Sequence, residues 1–203
     1  GNQLPSLITT NISSSIMTVL FPAIANISDQ RERVKAMTRK AVKTMSYVMF
    51  PMLFGMAAVS KPLINVLFTS KWEPAVPFVQ ILSISSAISL IGGVSLQAIK
   101  AIGKSDIILK LEVYKKPIYL LLLIIGVKIN VTAVAITMLI YTIYGNFVNA
   151  KPLKKEINYS YREQIRDLSV PFIMSTVMGI AVLFLSVVLN INNIILLILQ
   201  VLL

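Results

Sequence analysis

The sequence contains no cysteine and no histidine, a single tryptophan and only eight acidic residues. Without cysteine there are no disulfides and no thiol nucleophiles, and without histidine there are no imidazole bases; the usual zinc ligands go with them. No paired carboxylates stand in their place for acid–base work. The chain is therefore not expected to be an enzyme, and no catalytic residue, metal site or cofactor is expected in it. The acids Asp29, Glu32, Glu73, Asp106, Glu112, Glu156, Glu163 and Asp167 fall in stretches that read as loops or helix ends. None is expected at mid-membrane depth, where an ionisable residue by default signals proton or sodium coupling. Gly103-Lys104-Ser105 resembles the tail of a phosphate-binding loop, but the earlier glycine and the preceding strand are missing. Internal repeats and low-complexity tracts are absent as well. Residue 1 is Gly, and no basic segment precedes the first apolar run. A signal peptide is thus not expected, and the sequence reads as a piece of a longer protein.

What is abundant is apolar. The chain is 56% hydrophobic and 13% charged, with a mean hydropathy of +0.81, outside the usual range of soluble domains. Ala75 to Ile99 runs 25 residues without a charge, enough to cross a bilayer core of ~30 Å at ~1.5 Å per residue. Within it Ser85, Ser89 and Gly93 recur every four residues, with Ser86, Gly92 and Gln97 near the same face. Small residues at that spacing let helices approach closely in lipid. The fold class is all-α: a polytopic transmembrane bundle of about seven helices. The expected spans are about 4–27, 44–60, 75–99, 107–127, 131–149 and 168–189, with a last one begun at 194–203. Lys61-Pro62 is expected to end the second span, and 63–70 to lie in the outer interface. Ser105 or Asp106 is placed to cap the fourth, and Glu112 and Lys116 are spaced to pair. Residues 1–150 form the first unit, the first five helices. Residues 151–203 form a polar loop and the last two.

Orientation follows from the loops. Sixteen of the 19 Lys and Arg fall in the alternate set at 31–43, 100–116 and 151–166, leaving Lys61, Lys71 and Lys128 for the other side. The positive-inside rule then puts the basic loops in the cytoplasm and residue 1 outside. Topology and anionic membrane lipids account for the net charge of +11, so nucleic acid is not an expected partner.

Several short motifs carry a resemblance. Gly1-Asn2-Gln3-Leu4-Pro5 followed by Val19-Leu20-Phe21-Pro22-Ala23 is similar to a helix of bacterial polysaccharide transporters. Lys61-Pro62-Leu63-Ile64, then Lys71-Trp72-Glu73-Pro74-Ala75-Val76-Pro77, resembles their outer segment, and Ala101-Ile102-Gly103-Lys104-Ser105-Asp106 resembles their turn before a helix carrying two adjacent lysines. In order and spacing these resemble the oligosaccharide flippases of O-antigen, capsule and exopolysaccharide export, in the multidrug/oligosaccharidyl-lipid/polysaccharide exporter superfamily.

The resemblance implies 12 to 14 helices in two bundles of six around a cavity, with this chain as the carboxyl-terminal half. It implies the missing amino-terminal half as a partner, residence in the bacterial inner membrane, and an undecaprenyl-diphosphate-linked oligosaccharide as substrate. Sugar and pyrophosphate need a polar, preferably basic path, for which Gln3, Asn11, Gln80, Gln97 and Lys100 are the candidates here. The bland alternatives are hydrogen bonds to neighbouring helices for Asn11 and Gln97, and snorkelling to the headgroups for Lys100. Two other functional readings are a cation-coupled multidrug exporter of the same superfamily and a non-transporting membrane scaffold.

Overall fold

The structure, a computed structural model, describes residues 18–188 and 199–200, without the side chains of 186–188. All described regular structure is helical. Helix α1 is described over residues 18–25, followed by α2 (Arg31–Phe68), a 3₁₀ turn (Ser70–Ala75), α3 (Val76–Ala101), α4 (Ser105–Ile129), α5 (Val131–Ile157) and α6 (Tyr161–Val188). Among the described residues four stretches are long and apolar enough to cross a membrane: Arg31–Phe68, Ser70–Ala101, Val131–Ile157 and Tyr161–Leu185. The chain is an all-α membrane bundle. Most of the expected first span, and the last one, lie outside the described residues.

The helices run antiparallel and give the bundle two ends. The connections at 26–30, 102–104 and 158–160 share the end where most cations gather, and those at 69–75 and 130 share the other. α2 packs against both α3 and α6, α3 against α5, and α5 against α4. At the basic end one core joins Leu20 and Ile24 of α1, Val42 and Met45 of α2, Ala98 and Ile99 of α3, Leu153 and Ile157 of α5, and Tyr159.

Three expected boundaries are corrected, each for the same reason. Residues 31–43 are not a loop but the first third of α2, where Val34, Thr38, Val42 and Met45 recur at helical spacing and are buried. Lys61-Pro62 does not end that helix. Proline removes one backbone donor, but Ile64 beyond it packs with Val76 and Val79 at the start of α3, and that burial outweighs one lost bond. α2 therefore has 38 residues, about 57 Å at ~1.5 Å per residue, so it reaches well past a hydrocarbon core. Likewise α5 continues through Lys151-Pro152 because Leu153 and Ile157 are core residues. The polar stretch 151–167 shrinks to a three-residue turn.

That turn has its own chemistry. Asn158 takes the left-handed conformation (φ 55°, ψ 32°), and the Tyr159 N–H donates to the Leu153 carbonyl, closing α5 as a left-handed cap does. Ser160 and Glu163 then form a reciprocal capping box. The Glu163 N–H donates to Ser160 Oγ (3.3 Å) and the Ser160 N–H donates to Glu163 Oε2 (2.9 Å). At the other end Asn130 caps α5, its Oδ1 accepting from the Ala133 N–H at 2.7 Å. α4 starts differently from expectation: Lys104 is its cap position, and neither Ser105 nor Asp106 caps it by side chain.

Close helix approach is made by small residues, though not in the expected four-residue row. Ser85 is buried and hydrogen-bonds Thr142, but Ser89 is exposed and Gly93 only half-buried. A four-residue repeat drifts about 40° per step around an α-helix, whereas a seven-residue step returns to within about 20°. Gly92, seven residues from Ser85, is accordingly where α5 comes closest: a Cβ there would stand 2.5 Å from Asn146 Oδ1. Asn146 is drawn in by donating to the Ile88 carbonyl at 2.9 Å. α4 and α5 meet at Gly126, where a Cβ would lie 3.0 Å from Val134 Cα. α2 and α6 meet around Gly55 and Gly179, next to the edge-packed rings of Phe50, Phe54 and Phe172.

Candidate functional site

The first third of α2 is two-faced. One face is in the core; the other carries Ala36, Arg39, Lys40, Lys43, Thr44 and Tyr47, which line an open cavity of about 550 Å³. Three cations thus project from a little over one turn of helix at the basic end of the bundle.

What fixes two of them is a buried carboxylate from the far end of the sequence. Asp167 of α6 is 5% exposed. Arg39 grips it with two hydrogen bonds, Nε to Oδ2 and Nη2 to Oδ1, both 2.7 Å, the fork-to-carboxylate geometry that only arginine offers. Lys43 Nζ stands 3.2 Å from Oδ1, and the Tyr159 hydroxyl donates to Oδ2 at 3.1 Å. The Arg39 guanidinium also lies 5.9 Å from the centre of the Tyr159 ring. Burial, then the Asp167 charge, push the Tyr159 phenol up from its ordinary value, so it remains a donor. One turn away Lys35 pairs with Glu163 at 2.9 Å. The knot ties α2 to the start of α6. With one carboxylate shared between Arg39 and Lys43, and Lys40 beside them, the cavity keeps an excess of positive charge. It can hold an anion through charge-assisted hydrogen bonds.

A second buried charge lies between α4 and α5. Lys115 is 5% exposed, and its Nζ donates to Glu112 Oε1 at 2.6 Å and to Asn149 Oδ1 at 3.2 Å. Glu112 therefore pairs three residues on, not with Lys116 as its spacing suggests. Glu112 and Asp167 are also more than a turn inside their helices, a correction to their expected place in loops or at helix ends. Among the described residues no group of three or more acids stands close enough to hold a metal ion.

The five residues read as a path are not brought together. Gln3 and Asn11 lie outside the described residues. Gln80 lines a separate cavity of about 300 Å³ with Phe54, Thr176 and Ile180, between α2, α3 and α6. Gln97 is half-buried, and Lys100 is exposed, with its Nζ 5.9 Å from the centre of the Phe21 ring of α1. Seventeen residues of α3, about 26 Å, separate Gln80 from Gln97. Gln97 and Lys100 do share the basic end with the α2 cations. Those cations were legible only as loop charge; the helical spacing of Ala36, Lys40, Lys43 and Tyr47 opposite Val34, Thr38, Val42 and Met45 was the signal for a face.

Comparison with known proteins adds a separate line of observation. A family model described as "Polysaccharide biosynthesis protein" matches residues 1–77. The lipopolysaccharide biosynthesis protein WzxC of Escherichia coli is 30% identical over 166 residues, 79% of this chain and 33% of that protein. The succinoglycan biosynthesis transport protein ExoT of Rhizobium meliloti is 27% identical over 108 residues, 53% of this chain and 22% of ExoT. The teichuronic acid biosynthesis protein TuaB of Bacillus subtilis is 22% identical over 179 residues, 88% of this chain and 37% of TuaB. The chain spans between about a fifth and just over a third of the length of these relatives. No solved structure matches it.

Proposed function

Because the chain belongs to the bacterial polysaccharide flippase family of multi-pass membrane proteins, we propose that it is part of a transporter for a lipid-linked polysaccharide precursor. The substrate is an undecaprenyl-diphosphate-linked oligosaccharide, turned from the cytoplasmic to the outer leaflet of the bacterial inner membrane. The movement is a rocking of this bundle against the amino-terminal half. The observation that carries the reading is the cationic cavity on α2. A pyrophosphate arriving from the cytoplasm meets Arg39, Lys40 and Lys43 at the basic end, and cations there offset part of its desolvation. Gln97 and Lys100 at the same end extend the path, with Gln80 nearer the opposite end, and Gln3 and Asn11 remain candidates for it from the sequence alone. Anionic lipids face the remaining basic surface.

Reconstitution of the full-length parent tests this. Vesicles loaded with the sugar-labelled lipid-linked oligosaccharide should equalise the label between leaflets. Lys40→Ala with Lys43→Ala should slow that about tenfold at normal membrane levels, and Lys100→Ala and Gln97→Leu should each impair it. A parent that leaves the label in one leaflet defeats the reading. Normal transport by Lys100→Ala and Gln97→Leu removes that end of α3 from the path.

Sidedness is tested separately, on a chain with no native cysteine. A cysteine at Ser70, exposed in the 3₁₀ turn, should react with an impermeant maleimide added to intact cells. Cysteines at the exposed positions Asp29 and Ser105 should react only after permeabilisation. The reverse pattern inverts the bundle.

A further inference from the structure

Midway along the bundle α3, α4 and α5 leave an open hollow of about 240 Å³, lined by Ser85, Ser86, Ser89, Tyr119, Tyr141 and Thr142. The three helices supply it at one depth. Ser85 to Ser89 are the tenth to fourteenth of the 26 residues of α3, Tyr119 the fifteenth of 25 in α4, and Tyr141 the eleventh of 27 in α5. That places the hollow near the middle of the membrane.

Its lining is neutral. Six hydroxyls surround it, with Leu82 and Met138 as the apolar remainder, and no charged side chain does. Ser85 and Thr142 share a hydrogen bond of 3.0 Å, and Ser89 and Thr142 donate to the carbonyls of Ser86 and Met138 at 2.9 Å, so each oxygen keeps a lone pair to accept with. Among the described residues nothing hydrogen-bonds the hydroxyls of Tyr119 and Tyr141, whose rings stand 5.0 Å apart at 58°. Hydroxyls left to hydrocarbon at this depth are costly. They belong instead to a space that holds water or a polar guest.

We propose that this hollow is a neutral carbohydrate subsite: a sugar ring lays its C–H face on Tyr119 and Tyr141, and its hydroxyls exchange hydrogen bonds with Ser86, Ser89 and the two phenols. A phosphate finds no cation there, so this subsite divides the substrate with the α2 cavity, sugar to one and pyrophosphate to the other. The polar face continues toward the basic end, since Lys115 lies one turn from Tyr119 on α4, and Gly145 and Asn149 follow Tyr141 on α5 at four-residue steps. The subsite rests on the transport reading, and the experiment separates the two.

In the full-length parent, a benzophenone amino acid at position 89 is irradiated in vesicles holding the lipid-linked oligosaccharide labelled in its sugar. Capture of the labelled sugar is expected, and capture of phospholipid alone overturns the subsite. Transport is then compared for the oligosaccharide-bearing lipid and for undecaprenyl diphosphate without sugar. Filling the hollow with Ser86→Leu and Ser89→Leu should slow the glycosylated lipid at least about tenfold and leave the bare lipid within about twofold. Tyr141→Phe, which keeps the ring, should retain part of the rate. Equal treatment of both lipids by the filled variant overturns the subsite. Sugar capture by a parent that moves neither lipid upholds the subsite and overturns the transport reading.

Discussion

Asp167→Ala in the full-length parent should lower its unfolding free energy in detergent by about 3 kcal/mol, more than any surface substitution on the same helices. The carboxylate sits at 2% side-chain exposure with three partners: Arg39, Lys43 and the Tyr159 hydroxyl. Removing it leaves the buried phenol without an acceptor, itself a loss of about 1–3 kcal/mol. It also leaves the Arg39 and Lys43 charges side by side. Because those two are 28% and 47% exposed, water relieves part of their repulsion, which keeps the total from reaching the upper range for buried pairs. Asp167→Asn keeps the shape and an acceptor for Tyr159 and loses the charge, so it should fall between wild type and alanine. Arg39→Lys should lose one of the two parallel bonds and sit nearer wild type. Thermal and denaturant unfolding of the purified parent give the order. Equal stability of wild type and Asp167→Ala would mean that the α2–α6 contact is held by packing alone, through the phenylalanines at Phe50, Phe54 and Phe172.

That knot shows where reading the chain in order stops. The uncharged run 75–99 foretold α3 (76–101) almost to the residue, because its ends are marked locally by Pro77 and Lys100. The α4–α5 turn fell between the expected spans ending at 127 and starting at 131, because Asn130 caps α5 from the adjacent position. Arg39 and Asp167 are 128 residues apart, and nothing near either one names the other. α2 and α5 overran their prolines because burial of Ile64, Leu153 and Ile157 is settled by helices distant in sequence. Two of the differences carry a local signal. Ser160-Tyr161-Arg162-Glu163 has the spacing of a capping box, and it starts α6 seven residues earlier than its apolar run. The cationic face on α2 carries the other: six basic residues in a row of thirteen have the composition of a loop, but Val34, Thr38 and Val42 recur between them at helical spacing.

Lys115→Ala should destabilise the parent by about 3 kcal/mol or more, whereas Lys115→Met combined with Glu112→Gln should lose only about 1–2 kcal/mol, because it still leaves the buried Asn149 Oδ1 without a donor. The two predictions separate what the lysine does by charge from what it does by shape. Its stem fills the space beside Gly145, where Cδ lies 3.9 Å from the position of a glycine Cβ, and its ammonium reaches Glu112 and Asn149. Alanine empties that space, leaves Asn149 Oδ1 without its donor and leaves Glu112 without its cation. Methionine refills the space with a stem of similar length, and glutamine removes the stranded charge; Glu112 is 40% exposed, so its amide can still meet water. Replacing a buried pair by neutral side chains of matching volume is commonly neutral or better, while removing one member alone is not. Unfolding midpoints of the single and double variants, closed into a cycle with Glu112→Gln, measure the coupling. A double variant as unstable as Lys115→Ala would show that the charge at the α4–α5 interface is itself required, and no loss in Lys115→Ala would show that this ammonium is not held there at all.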